Sequence, residues 1–311
     1  MTKENQNDDW LKQSPYDRFM YFIAGKADRY KALTATIEKL GLNTTVISIE
    51  GNKHIFIFPQ NQRSLRKGIF PFSGQSPIML TAHYDRVEGS PGANDNSISV
   101  FHLLHTAMAL AKRGADNWII VFTDKEELKD GEGFEVQGSF TLAKKLKTWG
   151  LEKARIFNFD ACGTGDTFIF STTTDALLGN NISQNVIAVK NAIGQLRNYA
   201  LDTANLLRLD KMLLAPTPFS DDIGFLYAGF AAQTITILPS TEAAQYEDLL
   251  RRNQEFTKLL ISGAIKKSPE RRFMPFTWQN LNTPADNIQR LTPEHFDLVT
   301  KFMVELCAKI T

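Results

Sequence analysis

Residues 78–97 read Ile-Met-Leu-Thr-Ala-His-Tyr-Asp-Arg-Val-Glu-Gly-Ser-Pro-Gly-Ala-Asn-Asp-Asn-Ser, and their reading decides the fold. A short β-rich run, Ile78 to Ala82, ends on His83-Tyr84-Asp85. A Gly92-Ala93-Asn94 loop then carries Asp95 into a helical pattern expected from Ser97 to Lys112. The order is strand, polar loop, helix, and it recurs. Strand Trp118 to Thr123 runs into Asp124-Lys125-Glu126-Glu127 and a helix from Ser139 to Lys147, and strand Arg155 to Phe159 runs into Asp160. Strands alternating with helices predict an α/β fold of three layers, with a mostly parallel, mixed central sheet and helices on both faces. Ligands of such open sheets bind outside the carboxyl ends of the strands. His83, Asp95, Glu126, Glu127 and Asp160 are therefore expected to converge on one edge. Imidazole and carboxylate are the groups that bind zinc and activate water.

The flanks complete the pattern. Phe19, Phe22, Ile23, Tyr30, Leu33 and Ile37 recur at helical spacing, so a helix is expected over 16–40 with a stop at Gly41. Thr45 to Ile49 and His54 to Phe58 read as a hairpin around Glu50-Gly51-Asn52. Downstream come a strand at Phe168 to Ser171, a helix at Ile182 to Ala192 and a strand at Ala232 to Leu238. Helices are expected at Ala244 to Ile265 and Pro293 to Lys309, and 198–218 and 267–290 are the irregular stretches expected to shape a rim. No repeat or linker interrupts the chain, so one domain is expected over 1–311, its helix and hairpin at 10–60 packed on the sheet.

An apolar share of 43%, with 22 Phe in 311 residues, is ample for a large core. A net charge of +1 offers no field that would argue for nucleic acid or a membrane surface as partner. Cys162 and Cys307 are far apart and form no CxxC, which fits a reduced cytoplasmic chain. Met1 to Asp9 is polar and acidic, unlike a signal peptide, and no apolar run reaches the roughly 18 to 20 residues of a membrane span.

Each candidate has an ordinary alternative when taken alone. His83 could be a hydrogen-bonded strand-end residue, Asp95 a helix N-cap, Glu126-Glu127 a solvated pair and Asp160 a turn residue. Their joint placement favours chemistry. His102 and His105, on an otherwise apolar helix, read as structural, and His54 and His295 stand outside the constellation.

With these residues in place, the chain resembles the co-catalytic zinc peptidases of metallopeptidase family twenty-eight, which include bacterial leucyl aminopeptidases and glutamate carboxypeptidase. The family pattern is His-x-Asp, a Gly-x-x-Asp-Asn/Asp block, Glu-Glu, Asp, and a late Tyr-His-Thr-x-x-Asp. The likeness runs from Ile78 to about Leu291 and includes Ser220-Asp221-Asp222-Ile223-Gly224-Phe225. It implies the phosphorylase/hydrolase-like fold of zinc peptidases, one or two zinc ions, and a short peptide or aminoacyl substrate. By the resemblance, Asp95 would bridge two metals, His83 and Asp160 would complete the first site, and Glu127 would ligate the second. Asp85 would fix the tautomer and orientation of His83 from behind. Glu126 would be the general base, moving a proton from water to the leaving amine.

The chain departs from the family in three places. Thr283-Pro284-Ala285-Asp286 fits the late motif and puts Asn282 at the histidine of the second metal site. An amide oxygen is a weaker zinc ligand than imidazole, so that site is expected to be weak, empty or filled by a harder ion. Asp222 likewise replaces a histidine and is a candidate to compensate. The interval from Glu127 to Gly138 is long and carries Glu132 and Glu135, as a solvated loop or as a rim that meets a substrate amino group. The leading expectation is a metal-dependent aminopeptidase. The competing ones are a glutaminyl cyclase-like enzyme, which shares these motifs but relies on the late histidine, and a non-catalytic peptide-binding protein.

Overall fold

The hairpin forms from β1 (Asn43–Ile49) and β2 (Asn52–Phe58), with Ile49 opposite Asn52. Its two-residue turn has positive φ at both positions, 50° at Glu50 and 89° at Gly51, the backbone that matches the twist of the strands it joins. Chain order then gives β3 (Ile78–His83), β4 (Trp118–Thr123), β5 (Arg155–Phe159), β6 (Thr167–Ser171), β7 (Met212–Ala215) and β8 (Ala232–Leu238). The computed structural model describes residues 15–60 and 76–308. Its eight strands form one mixed sheet in the order β1-β2-β4-β3-β5-β8-β6-β7. β4, β3, β5 and β8 run parallel at the centre. β2 pairs antiparallel with β4 on one side, and β6 with β8 on the other.

Helices cover both faces, which is why the central strands are buried almost end to end. Ile78, Leu80 and Ala82 of β3 share one core with helices Arg29–Lys39, Ile98–Arg113, Gln184–Leu206 and Phe296–Ala308. Met79 points to the other face, where helices Gly138–Thr148 and Asp221–Tyr227 pack. Phe302 is fully buried, its ring 5.0 Å from that of Phe168 and 6.4 Å from that of Phe159. Phe302→Ala is expected to cost about 3–5 kcal/mol, read from the shift in denaturant midpoint. A cost under about 1 kcal/mol would contradict a rigid packed layer at this position.

Several expected boundaries move. The helix expected over 16–40 is two, Pro15–Ile23 and Arg29–Lys39, because Asp28 accepts the Lys31 N–H and starts a new helix. The helix expected at Ala244–Ile265 breaks in the same way at Asn253, which accepts from Phe256 N–H. Much of 198–218 is regular. Helix Gln184–Leu206 continues through Gly194 because Leu196, Ala200 and Ala204 are buried against the sheet, and β7 is a four-residue strand beside β6. The last helix is Phe296–Ala308, preceded by a 3-10 turn at Pro293–His295. Positions 1–14 and Lys309 lie outside the described residues.

Candidate metal centre

His83 closes β3 opposite Thr123 of β4, and Asp160 directly follows β5, so the parallel register sets these ends level. Asp95 lies in a kinked turn, Ala93–Ser97, where its backbone leaves the helical region at φ −114° and ψ 89°, and the Asp95–Asn96 peptide is cis. The chain enters this turn through Gly92 at φ 59°. A Cβ there would lie 2.6 Å from the Asp95 carbonyl oxygen and 2.8 Å from Arg29 Nη2, so only glycine fits.

His83 Nε2 is 3.1 Å from Asp95 Oδ1 and 3.7 Å from Asp160 Oδ1, while His83 Nδ1 is 3.5 Å from Asp85 Oδ1. Ligand atoms of His83, Asp95 and Asp160 lie within 4.8 Å of one another, and so do those of His83, Glu126 and Glu127. Asp85 accepts the backbone N–H groups of Glu126 and Glu127, each at 3.1 Å, and so fixes both glutamates behind β4. Asn282, at φ 63°, donates from Nδ2 to Glu127 Oε2 at 3.2 Å. Asp95, Glu126, Glu127, Asp160 and Asn282 line a cleft of about 300 Å³. His83, Asp85, Asp95, Glu126, Glu127, Asp160 and Asn282 thus lie close together here.

The sequence profile of Peptidase family M28 matches residues 69–307. The chain belongs to this family. No curated protein sequence matches this family M28 chain significantly. Among solved structures, it resembles a leucine aminopeptidase precursor from Bacteroides thetaiotaomicron (15% identity, 99% of this chain, 97% of the other, TM-score 0.60). It also resembles a glutaminyl cyclase from Porphyromonas gingivalis (16% identity, 98% of each, TM-score 0.57). A zinc aminopeptidase from Bacillus subtilis gives 20% identity over 83% of this chain and a TM-score of 0.51. This chain spans only 50% of that protein's length. These likenesses show a shared fold.

The donor set of the family M28 chain fits a metal ion. His83 Nε2, Asp160 Oδ1, Glu127 Oε1 and Asn282 Oδ1 are all buried without a directed hydrogen bond. The short approach of His83 Nε2 to Asp95 Oδ1 is thus two ligand atoms facing a common point. Electrostatics agree. Burial, then the charge of Glu127, pushes the Glu126 carboxyl well above its ordinary range, and burial, then Asp95, does the same to Glu127. Burial pulls His83 down, but the carboxylates of Asp160, Asp85 and Asp95 outweigh it and hold the imidazole well above its ordinary value. Buried like charges at this density are costly without a cation.

Other residues that the sequence raised lie outside this group. Asp222, the candidate to replace the missing histidine, is buried with neither carboxylate oxygen hydrogen-bonded, and it belongs to neither group of metal-competent side chains nor to the cleft lining. Glu132 and Glu135 do not line the cleft. Glu132 instead pairs with Lys125 at 3.1 Å, and Phe134 of the same loop stacks on Tyr227 and meets Phe219 edge-on. His102 is buried against Thr300 and Phe296, as a structural histidine would be.

Three supports had no assigned role. Asp286 accepts N–H from Asn94 at 2.8 Å and from Asp95 at 3.0 Å, which fixes the turn that carries Asp95. Ser220 donates to Asp160 Oδ2 at 2.6 Å rather than capping its helix, and Asn158 donates to Ser220 in turn. Arg29 is buried and donates to the carbonyls of Tyr84, Asp85, Pro91 and Gly92 and to the Ser97 hydroxyl. It braces the segments carrying His83, Asp85 and Asp95. Asp286 and Ser220 stood inside quoted motifs, whereas nothing in the sequence marked Arg29.

Proposed function

We propose that this chain is a zinc-dependent aminopeptidase that releases the N-terminal residue from short peptides. The observation that carries the reading is the set of buried, unpartnered ligand atoms on His83, Asp160 and Glu127 at the floor of a cleft that Glu126 also lines. His83, Asp95 and Asp160 would hold one ion, with Glu127 and Asn282 at the position of a second. When bound, zinc supplies Lewis acidity toward the scissile carbonyl and toward the attacking water.

The chain's own groups do the rest. Asp85 holds His83 in orientation from Nδ1 and anchors the Glu126-Glu127 backbone. Gln137 Nε2 donates to Glu126 Oε1 at 3.3 Å, leaving the other carboxylate oxygen for proton transfer. Glu126, made more basic by burial, takes a proton from the attacking water and returns it to the departing amine. Leu260, Ile265, Met274 and Trp278 along the cleft favour an apolar side chain next to the cleaved bond. Two buried, unpaired cysteines support a reducing, cytoplasmic setting. Among the described residues no helix is long and apolar enough to cross a membrane.

Elemental analysis beside release of amino acids from aminoacyl-nitroanilides tests this reading. About one tightly held zinc per chain is expected, rising to about two in Asn282→His, because imidazole replaces a neutral amide oxygen. Chelation should abolish activity and zinc should restore it. Activity that survives chelation, or a protein that holds no metal in either form, would overturn the reading. A Gln-initiated peptide that loses ammonia instead of its first residue would redirect it to cyclisation.

A further inference from the structure

The wall of the cleft differs in chemistry from its floor. After Gly263, the 3-10 turns Ala264–Lys267 and Pro269–Phe273 bring Lys266 and Arg271 into the lining. The path is fixed by close packing. Gly263 sits at φ 73°, and a Cβ there would lie 2.5 Å from the Phe219 ring. Ser268 accepts the Glu270 N–H and starts the second turn. Ile265 and Met274, on either side, are buried in the core beneath.

Lys266 and Arg271 are the only cationic side chains lining the cleft among the described residues. Their neighbours have partners: Lys267 pairs with Asp130 at 3.2 Å and Lys125 with Glu132. No carboxylate lies within ion-pair distance of Lys266 or Arg271 among the described residues. Arg271 makes a long 3.5 Å contact from Nη2 to the Gln279 carbonyl, which leaves most of its five donors free. Lys266 lines the same cleft as Asp95 and Glu127.

A substrate carboxylate entering this cleft would meet Lys266 and Arg271 on its wall. A guanidinium in the same lining as an ammonium is suited to a carboxylate, which the guanidinium can grip through two parallel N–H donors. We infer that Lys266 and Arg271 bind a carboxylate of the substrate, so the preferred substrates are short peptides carrying one, either at the C-terminus or on a side chain near the cleaved bond. This inference rests on the aminopeptidase reading for the reaction, in which water adds across the peptide bond to give a free amino acid and a shortened peptide. The carboxylate itself is unchanged and serves as a handle. Its cost is specificity: peptides with no carboxylate within reach lose the contact.

The test compares kcat/KM of the zinc-loaded protein on two pairs of peptides. Leucyl-glycine against leucyl-glycinamide isolates the C-terminal carboxylate. Leucyl-aspartyl-amide against leucyl-asparaginyl-amide isolates a side-chain carboxylate. One pair is expected to favour the acid about tenfold or more, the worth of a charge-assisted contact. The same acid-to-amide ratio should fall toward one in Lys266→Met and Arg271→Met, and Lys266→Glu should invert it. Lys266 is exposed, so its variants are expected to fold, and circular dichroism checks this. Ratios within about twofold in both pairs, or a preference untouched by the Lys266 variants, would overturn the inference. If none of the peptides is cleaved, the aminopeptidase reading has failed. Calorimetric binding of both acid–amide pairs to the zinc-loaded protein then decides the inference alone, with tighter binding of the acid in either pair sustaining it and equal binding in both ending it.

Discussion

Glu126→Gln is expected to lower kcat by about 100- to 10,000-fold, the range for removing a positioned general base. The zinc content should not change. Glutamine keeps the shape and the contact with Gln137 but cannot take a proton, and His83, Asp95 and Asp160 converge without it. Initial rates beside elemental analysis separate the two roles. A variant that loses zinc along with activity would make Glu126 a ligand, consistent with its place beside His83 and Glu127. A variant with a rate near that of the parent would remove Glu126 from the chemistry.

His83→Ala is expected to have the second large effect, through the metal rather than the proton. The imidazole is the one residue shared by both groups of converging side chains. Its loss should weaken zinc binding by more than the roughly 10- to 100-fold that follows loss of a residue supporting a ligand. Asp85→Ala provides that smaller effect for comparison, because Asp85 acts through His83 and through two backbone N–H groups. Zinc affinity measured by competition with a chromophoric chelator should rank the two variants in that order. Equal affinities would mean that His83 does not reach the ion.

The grouping could be read from the sequence because His83 ends a strand and Glu126, Glu127 and Asp160 follow one. Strand ends are fixed by the switch from an apolar run to a polar loop, and parallel strands put their ends at one edge. His83, Glu126, Glu127 and Asp160 could therefore be grouped without coordinates, and the late Asn282 could be added from the family resemblance. β7 escaped because four residues, Met-Leu-Leu-Ala, suit a helix as well as an edge strand. The breaks at Asp28 and Asn253 escaped because each lies within an apolar period that continues on both sides. Arg29 escaped for a deeper reason. It acts on backbone carbonyls 55 to 63 positions away, and main-chain atoms leave no trace in side-chain pattern.

Arg29 also lies before residue 69, where the match to the family begins. The segments that carry His83, Asp85 and Asp95 are thus braced by a part of the chain that the shared pattern does not include. β1 and β2 lie in that part as well, and they cover the outer edge of β4. Excision at the family boundary would leave β4 as an open edge, ready to pair with another chain. It would also free the loop that presents Asp95. Chimaeras between relatives therefore have a natural seam well upstream of the shared motifs, and a transplanted catalytic segment keeps its metal geometry only if its own first helices travel with it.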